Sequence, residues 1–289
     1  MTATSDIQKT VERLCELSRK SDANPYAQIE WPAALESEQW FTSPELISIE
    51  GTEAYDRLSE RERKRLSFFE AVNFFSLNIH GEKALIEGLA RRLYLKDNDA
   101  ISPYLHHFLD EENRHMACFG GFCTRYAGKI YPDRKIAFPR QYADGEEDFL
   151  FFVKVLVFEE IVDVYNARMS RDERLVPLAR AINLMHHRDE TRHLAFGRKL
   201  VGAMFARARE RWSEATLRGV RETVGTYLIA TWKEYFNPDV YRDAGFDEPY
   251  KIREQGFHHP RARERRREIS RRCVRHLLDC EVLEKEPAL

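Results

Sequence analysis

Two short segments set the tightest constraint on how this chain can fold. Glu111-Glu112-Asn113-Arg114-His115 and Asp189-Glu190-Thr191-Arg192-His193 both read acid-Glu-x-Arg-His. With the Glu and His content of this chain, a Glu three residues before a His arises by chance about once. The longer order is expected about 0.02 times, yet it occurs twice. Each copy lies in a stretch of helical character. Residues i and i+3 share a helix face, so a Glu and a His at that spacing can grip one metal ion. Two such stretches must face each other in the interior. They also need carboxylates from two more helices to complete the ions.

The rest of the chain supplies those helices. A short amphipathic helix near 6–19 gives way to a loop with Pro25, Pro32 and Pro44, whose Trp31 and Trp40 are expected to pack on the body. From Leu58 onward the pattern predicts long helices near 59–95, 102–127, 146–169, 173–206 and 213–236. The breaks fall at Asp97-Asn98-Asp99 before Pro103, and between Gly128 and Gly145 with Pro132 and Pro139. No β-alternation and no glycine-rich phosphate loop interrupts this. The expected fold is all-α, a four-helix bundle with additional N- and C-terminal helices. Residues 1–50 form an N-terminal helix and packing arm, and 51–289 the bundle with an arginine-rich C-terminal helix, in one domain overall.

The completing carboxylates can be found by their cost. Glu82 lies in the stripe Phe75, Ile79, Glu82, Ile86, Leu89, otherwise apolar at helical spacing. An ionised Glu there is expensive unless it is paired or metal-bound. Glu87 has Lys83 and Arg91 as neighbours four residues away and is expected at the surface. The 149–164 stretch is apolar nearly all round, so it is central, yet it holds Glu159-Glu160 and Asp163. Glu112 and Glu190 are 78 residues apart; Glu82 lies 77 residues from Glu159 and 78 from Glu160. This predicts two helix pairs related by an approximate two-fold axis, with periodicity leaving Glu159 and Glu160 open. His186 lies four residues before Glu190 and shares its face with His193, whereas His187 points about 100° away. Glu111 and Asp189 are placed to accept the far N–H of a ligating histidine, and Arg114 and Arg192 to pair with such acids. Carboxylates with imidazoles and no thiolate suit iron or manganese.

This pattern resembles the ferritin-like di-iron carboxylate proteins over about residues 60–200. The extra histidine in His186-x-x-x-Glu190-x-x-His193 narrows the resemblance to the p-aminobenzoate N-oxygenase (AurF-like) family of di-iron oxygenases. That resemblance implies a metal set of Glu82, Glu112, His115, Glu159, His186, Glu190 and His193. It takes Glu159 over Glu160 and holds two iron ions, a manganese–iron pair satisfying the same donors. It further implies oxidation of an amine nitrogen by O2, through hydroxylamine and nitroso to nitro, in natural-product biosynthesis. Electrons then come from an external donor, since no flavin, nicotinamide or iron–sulfur motif is present. Phe74-Phe75-Ser76-Leu77-Asn78, before Glu82, holds no arginine to clamp a benzoate carboxylate, which leaves a larger apolar amine as a substrate. Phe75, Phe108, Phe119, Phe122, Phe152 and Phe158 suit an apolar cavity or an ordinary core. The competing readings are a di-iron hydroxylase, desaturase or oxidase acting on carbon, and a non-catalytic iron-binding protein.

Composition bounds the partners. The formal net charge is -2, against the basic field of a nucleic-acid binder. No stretch approaches the ~18 apolar residues of a membrane span, and residues 1–6 do not open a signal peptide. Five cysteines without C-x-x-C spacing read as reduced thiols, so a cytoplasmic location is expected. The 261–275 stretch holds eight arginines, expected as a solvated helix face with Glu264 and Glu268 as internal ion partners. Ile269, Cys273 and Leu277 form an apolar face for the bundle or for a second subunit, as in a homodimer.

Overall fold

The computed structural model describes residues 2–21, 24–35, 38–133 and 140–289; Pro139 of the expected break lies outside them. Among the described residues the chain is helical, with one isolated bridge between Trp40 and Leu175. In chain order the helices are α1 (Thr2–Lys20), α2 (Pro25–Gln28), α3 (Glu53–Asp56), α4 (Glu60–Arg92), α5 (Ser102–Phe122) and α6 (Glu146–Met169), followed by α7 (Pro177–Ala208), α8 (Glu214–Glu234), α9 (Pro238–Ala244), α10 (Pro249–His258) and α11 (Pro260–Asp279). Among the described residues, no helix is long and apolar enough to cross a membrane.

The bundle is α4 against α5 and α6 against α7, closed by α4–α6 and α5–α7 contacts. Its elements begin and end where local chemistry dictates. Ser59 and Glu62 form a capping box at the start of α4, each satisfying a backbone N–H of the other. The last turn of α5 widens over Cys123–Ala127 and stops at Gly128, whose φ of 64° only glycine adopts cheaply. The expected helix from 173 starts instead at Pro177. Proline at the first position needs no N–H, and the preceding turn gives the Val176 N–H to the Trp40 carbonyl, 2.9 Å.

Close approach of α4 and α6 has its own sequence device. Gly81 and Gly88 are seven residues apart on one face of α4. A methyl group on either would overlap a ring, Phe158 at Gly81 and Phe151 at Gly88. The missing side chains let α6 seat its phenylalanines on the α4 backbone, which draws Glu82 and Glu159 into one interior.

The outer elements wrap this core. α1 lies on α5 and α7, α9 on α4, and α8 and α11 on α6. The N-terminal arm packs as expected. Phe41, Leu46, Ile47 and Ile49 are buried, and the Phe41 N–H donates to Ser67 Oγ, 3.1 Å. α9 and α10 were not anticipated, because each is short and opens on a proline that reads as a break. For the C-terminal stretch, one open alternative is decided and one expectation is corrected. Ile269, Cys273 and Leu277 are 2, 1 and 0 % exposed, so that face is spent on the chain's own bundle and not left for a second subunit. The arginines are not one solvated face either. Arg265 turns inward to the Glu45 and Ser48 carbonyls, Arg266 to the Phe257 carbonyl, and Glu268 reaches Arg168 of α6 rather than its own helix.

A buried polar node ties α4, the arm and α9 together. Glu70 accepts from the Ser48 N–H and hydroxyl, and that hydroxyl also meets the Tyr241 hydroxyl, 2.8 Å. Burial pushes the Glu70 carboxyl up to about 7, against the partly offsetting Ser48 hydrogen bonds and the Arg265 charge.

Two stability predictions arise here. Gly88→Ala should destabilise the fold by about 1–3 kcal/mol through overpacking against Phe151, read as a lowered denaturation midpoint; an unchanged midpoint would mean the helices do not approach this closely. The folded-state value of Glu70 lies above its unfolded value, so its contribution is complete below about pH 4.5 and is lost as pH rises through 7. Glu70→Gln, neutral at every pH, should therefore gain stability relative to the parent between pH 5 and 8, by roughly 1–3 kcal/mol. A difference independent of pH in paired urea titrations would contradict that.

Candidate metal centre

Each of the four bundle helices contributes to one interior cluster: Glu82 from α4, Glu112 and His115 from α5, Glu159 from α6, and His186, Glu190 and His193 from α7. All seven are at most 2 % exposed. Their donor atoms form three overlapping groups with mutual distances within 4.8 Å. One is Glu82, Glu112, His115 and His186; one is Glu112, Glu190 and His193; one is Glu159, His186 and Glu190. Glu112, Glu190 and His186 each belong to two groups, so the groups merge into a single centre.

The histidines are fixed by crossed contacts. His193 Nε2 meets Glu111 Oε2 on α5, 2.7 Å, and His115 Nε2 meets Asp189 Oδ2 on α7, 3.0 Å. In both rings the far N–H is thus held by the acid of the other motif copy, and Nδ1 faces the cluster. His193 Nδ1 lies 2.8 Å from Glu112 and 3.1 Å from Glu190; His115 Nδ1 lies 3.4 Å from Glu112. His186 is reversed. Its Nε2 faces Glu82 at 3.1 Å and Glu190 at 3.4 Å, and its Nδ1 abuts the Asn166 amide nitrogen. Asn166 Oδ1 is buried without a partner. Turning the amide over satisfies both groups, with Oδ1 accepting from the Nδ1–H.

The two arginines expected to pair with the motif acids behave differently. Arg192 donates to Glu111 at 2.6 Å, to Asp189 at 2.5 Å and to Ser18 of α1 at 3.0 Å. Arg114 turns outward to Asp110 instead, 3.2 Å. His187 points away, as its helix position requires, and pairs with Asp163. Glu87 is at the surface with Arg91. Glu160 leaves the cluster for Arg198, while its neighbour Glu159 enters it.

Electrostatics set the carboxyls of the cluster apart. Burial, then the Glu112 and Glu190 charges, push Glu82 well above the usual carboxylate range; burial, then Glu190 and Glu112, do the same to Glu159. Burial penalises a charged Glu112 too, but the His193 and His115 imidazoles outweigh it and hold that carboxyl low. His115 is drawn up to about 9, Asp189 and Glu112 outweighing its burial. Glu82 Oε2, Glu190 Oε2 and both Glu159 oxygens are buried and receive no hydrogen bond. Native interiors rarely leave such atoms unsatisfied. Carboxylate oxygens and imidazole nitrogens with no thiolate among them fit iron or manganese.

The aromatic residues divide. Phe108 stacks on His193 with centroids 3.9 Å apart, and Phe119 meets His186 edge-on at 5.1 Å. Phe75 backs Phe119, and Phe122 packs outward toward Phe41 and Phe68. Phe152 is also buried core, in edge contact with Phe151 and Phe196. Asn166 is the neighbour that sequence reasoning missed. Its signal was an amide on the apolar helix, seven residues beyond Glu159 and so on the same α6 face.

Comparison with curated proteins gave no match. A family model described as p-aminobenzoate N-oxygenase AurF matches residues 4–280. That span takes in all four bundle helices, both acid-Glu-x-Arg-His segments and the whole of α11. The chain belongs to the AurF family.

Proposed function

We propose that this chain is a di-iron N-oxygenase, which uses O2 and externally supplied electrons to oxidise an amine nitrogen to hydroxylamine, nitroso or nitro products in natural-product biosynthesis. The observation that carries this is the sealed cluster of four glutamates and three histidines in which Glu82 Oε2, Glu190 Oε2 and both Glu159 oxygens receive no hydrogen bond. A pair of cations is the economical answer to that arrangement, and the family membership supports oxygenase chemistry for them.

Glu82, Glu112, His115, Glu159, His186, Glu190 and His193 would hold two iron ions. When bound, the irons supply the reaction with dioxygen and the electron storage that no side chain offers. The protein does the rest. Asp189 and Glu111 keep a proton on Nε2 of His115 and His193, which leaves each Nδ1 lone pair for the metal. Arg192 offsets the charge of both acids, so they hold those protons without taking them. Phe108 and Phe119 pack on ligand rings and fix their planes, and burial of the whole centre excludes bulk water from the oxidant. Arg192 and Arg198 are both engaged by carboxylates, so neither is offered to a substrate carboxylate. This favours an apolar amine over an aminobenzoate.

The test is anaerobic loading with Fe(II), then oxygen, followed by Mössbauer spectroscopy and a panel of amines. Two irons per chain, a coupled diferric pair and oxidised nitrogen in a product are expected. Iron well below two per chain, or oxygen delivered only to carbon, would sink the reading. His186→Ala should still fold but lose roughly tenfold or more in the rate of oxygen consumption, whereas a six-ligand centre would tolerate it. Asn166→Leu should weaken iron binding or activity by about 10–100-fold, with Asn166→Asp restoring the acceptor and most of the loss. Equal iron affinity in the leucine variant would remove Asn166 from the centre.

A further inference from the structure

At one end of the cluster the bundle interior turns from carboxylates and imidazoles to aromatic rings. The register across the helices shows which residues share that end. His115 of α5 meets Asp189 of α7, and Phe119 meets His186, so these two helices run antiparallel. On α4, Glu82 joins His115 and His186, whereas Phe75, seven residues earlier, stacks on Phe119 and meets Phe122 edge-on. On α6, Tyr165 stacks on Phe74 and Asn166 reaches His186, both beyond Glu159. One turn before Glu82 on α4 and one turn before His186 on α7 therefore lead into the same layer. The residues there are Asn78 and Asn183.

Both asparagines are fully buried. Asn78 Nδ2 donates to the Phe74 carbonyl and Asn183 Nδ2 to the Ala179 carbonyl, each at 2.7 Å and four residues back. Those bonds fix which end of each amide is oxygen, because a flipped amide would set Oδ1 against a carbonyl. They leave Asn78 Oδ1 and Asn183 Oδ1 buried with no hydrogen-bond partner among the described residues. The third amide of the layer brings no donor to them, since Asn166 is engaged by His186. A buried acceptor without a donor destabilises a fold. Two such acceptors one turn from a metal cluster ask for a molecule that brings donors. An amide oxygen accepts and cannot donate, so the layer suits N–H groups and not a carboxylate. The buried rings of Phe74, Phe75 and Phe119 beside them suit an apolar body.

We propose that Asn78 and Asn183 form the amine subsite of the centre, their Oδ1 atoms accepting the two N–H bonds of a primary amine whose apolar body lies among Phe74, Phe75 and Phe119. This rests on the N-oxygenase reading and narrows its substrates to primary amines. Two acceptors match the two N–H groups and leave the nitrogen lone pair free for oxidation. A secondary amine keeps one of these contacts, and a tertiary amine keeps neither.

The test compares p-toluidine with p-xylene, which has the same shape but a methyl group in place of the amine. Binding to the Fe(II)-loaded full chain is measured by calorimetry without oxygen, so that nothing turns over. The parent should bind p-toluidine roughly tenfold more tightly than p-xylene. Asn78→Leu/Asn183→Leu should abolish that preference by weakening p-toluidine, with iron content unchanged, and each single variant should lose part of it. Thermal midpoints of the metal-free chains give a second readout. The leucine variants should melt at or above the parent, since an unpaired buried acceptor is replaced by an apolar side chain. Asn73→Leu is the contrast on the same helix. Both ends of the Asn73 amide are bonded, to the Glu234 carbonyl and to Asn237, so this variant should melt lower and keep the preference for p-toluidine. No binding of p-toluidine, equal binding of both probes by the parent, or an unaltered preference in the double variant overturns the proposal. So does a fall in midpoint in the double variant like that of Asn73→Leu, which would mean that trapped water already satisfies the two oxygens. Failure to load iron overturns the di-iron reading instead, and the same comparison on the metal-free chain then judges the subsite.

Discussion

Repulsion among buried carboxylates organises this molecule. Glu82, Glu112, Glu159 and Glu190 converge inside an apolar bundle, where each ionised oxygen has lost its water. The interior low dielectric magnifies every like-charge contact. Without counter-charge such a centre would drive its four helices apart. The imidazoles of His115 and His193 supply part of it, and the crossed acids behind them hold those rings in place. The remainder is what two dications would bring. Much of the surrounding design follows: the glycines of α4 that let α6 approach, the aromatic packing on the His186 and His193 rings, and the outer helices that keep water away.

The same constraint explains why so much of the centre was legible in the sequence. A charged residue on an apolar stripe is conspicuous because it is costly, and that cost picked out Glu82 and the Glu159-Glu160 pair. The i, i+3 and i+4 spacings on α5 and α7 then followed from helix geometry alone, His186 included. Periodicity could not separate Glu159 from Glu160, since neighbours on a fully buried helix both face protein. The difference lies in partner geometry: Arg198 of α7 is within reach of one and not the other. Tertiary placement of that kind has no local signature. Arg114 and Arg192 show the same limit, being identical in motif position yet opposite in direction.

Fold boundaries were legible to a similar depth. Long helices with strong patterning fell close to their observed spans. The errors came where proline carried two meanings. At Pro177 it opens a helix that periodicity had begun earlier, and at Pro238 and Pro249 it starts short helices that the helical pattern ending near 236 did not include. The apolar face of α11 could not be assigned a partner from one chain, because the bundle and a second subunit would demand the same residues. Only the packing of Cys273 against the α6 surface decides it.

The approximate two-fold relation between the helix pairs is broken in a directed way. The α5 copy offers Glu112 and His115; the α7 copy offers Glu190, His193 and the additional His186. Asn166 of α6 stands behind that extra ring, and Arg192 of α7 alone spans both outer acids. A symmetric centre would treat its two metal positions alike. This one gives the side near His186 a third imidazole and an amide anchor, and gives the acids of both motif copies a single shared cation. Two metal ions held in such surroundings would differ in donor charge and in basicity.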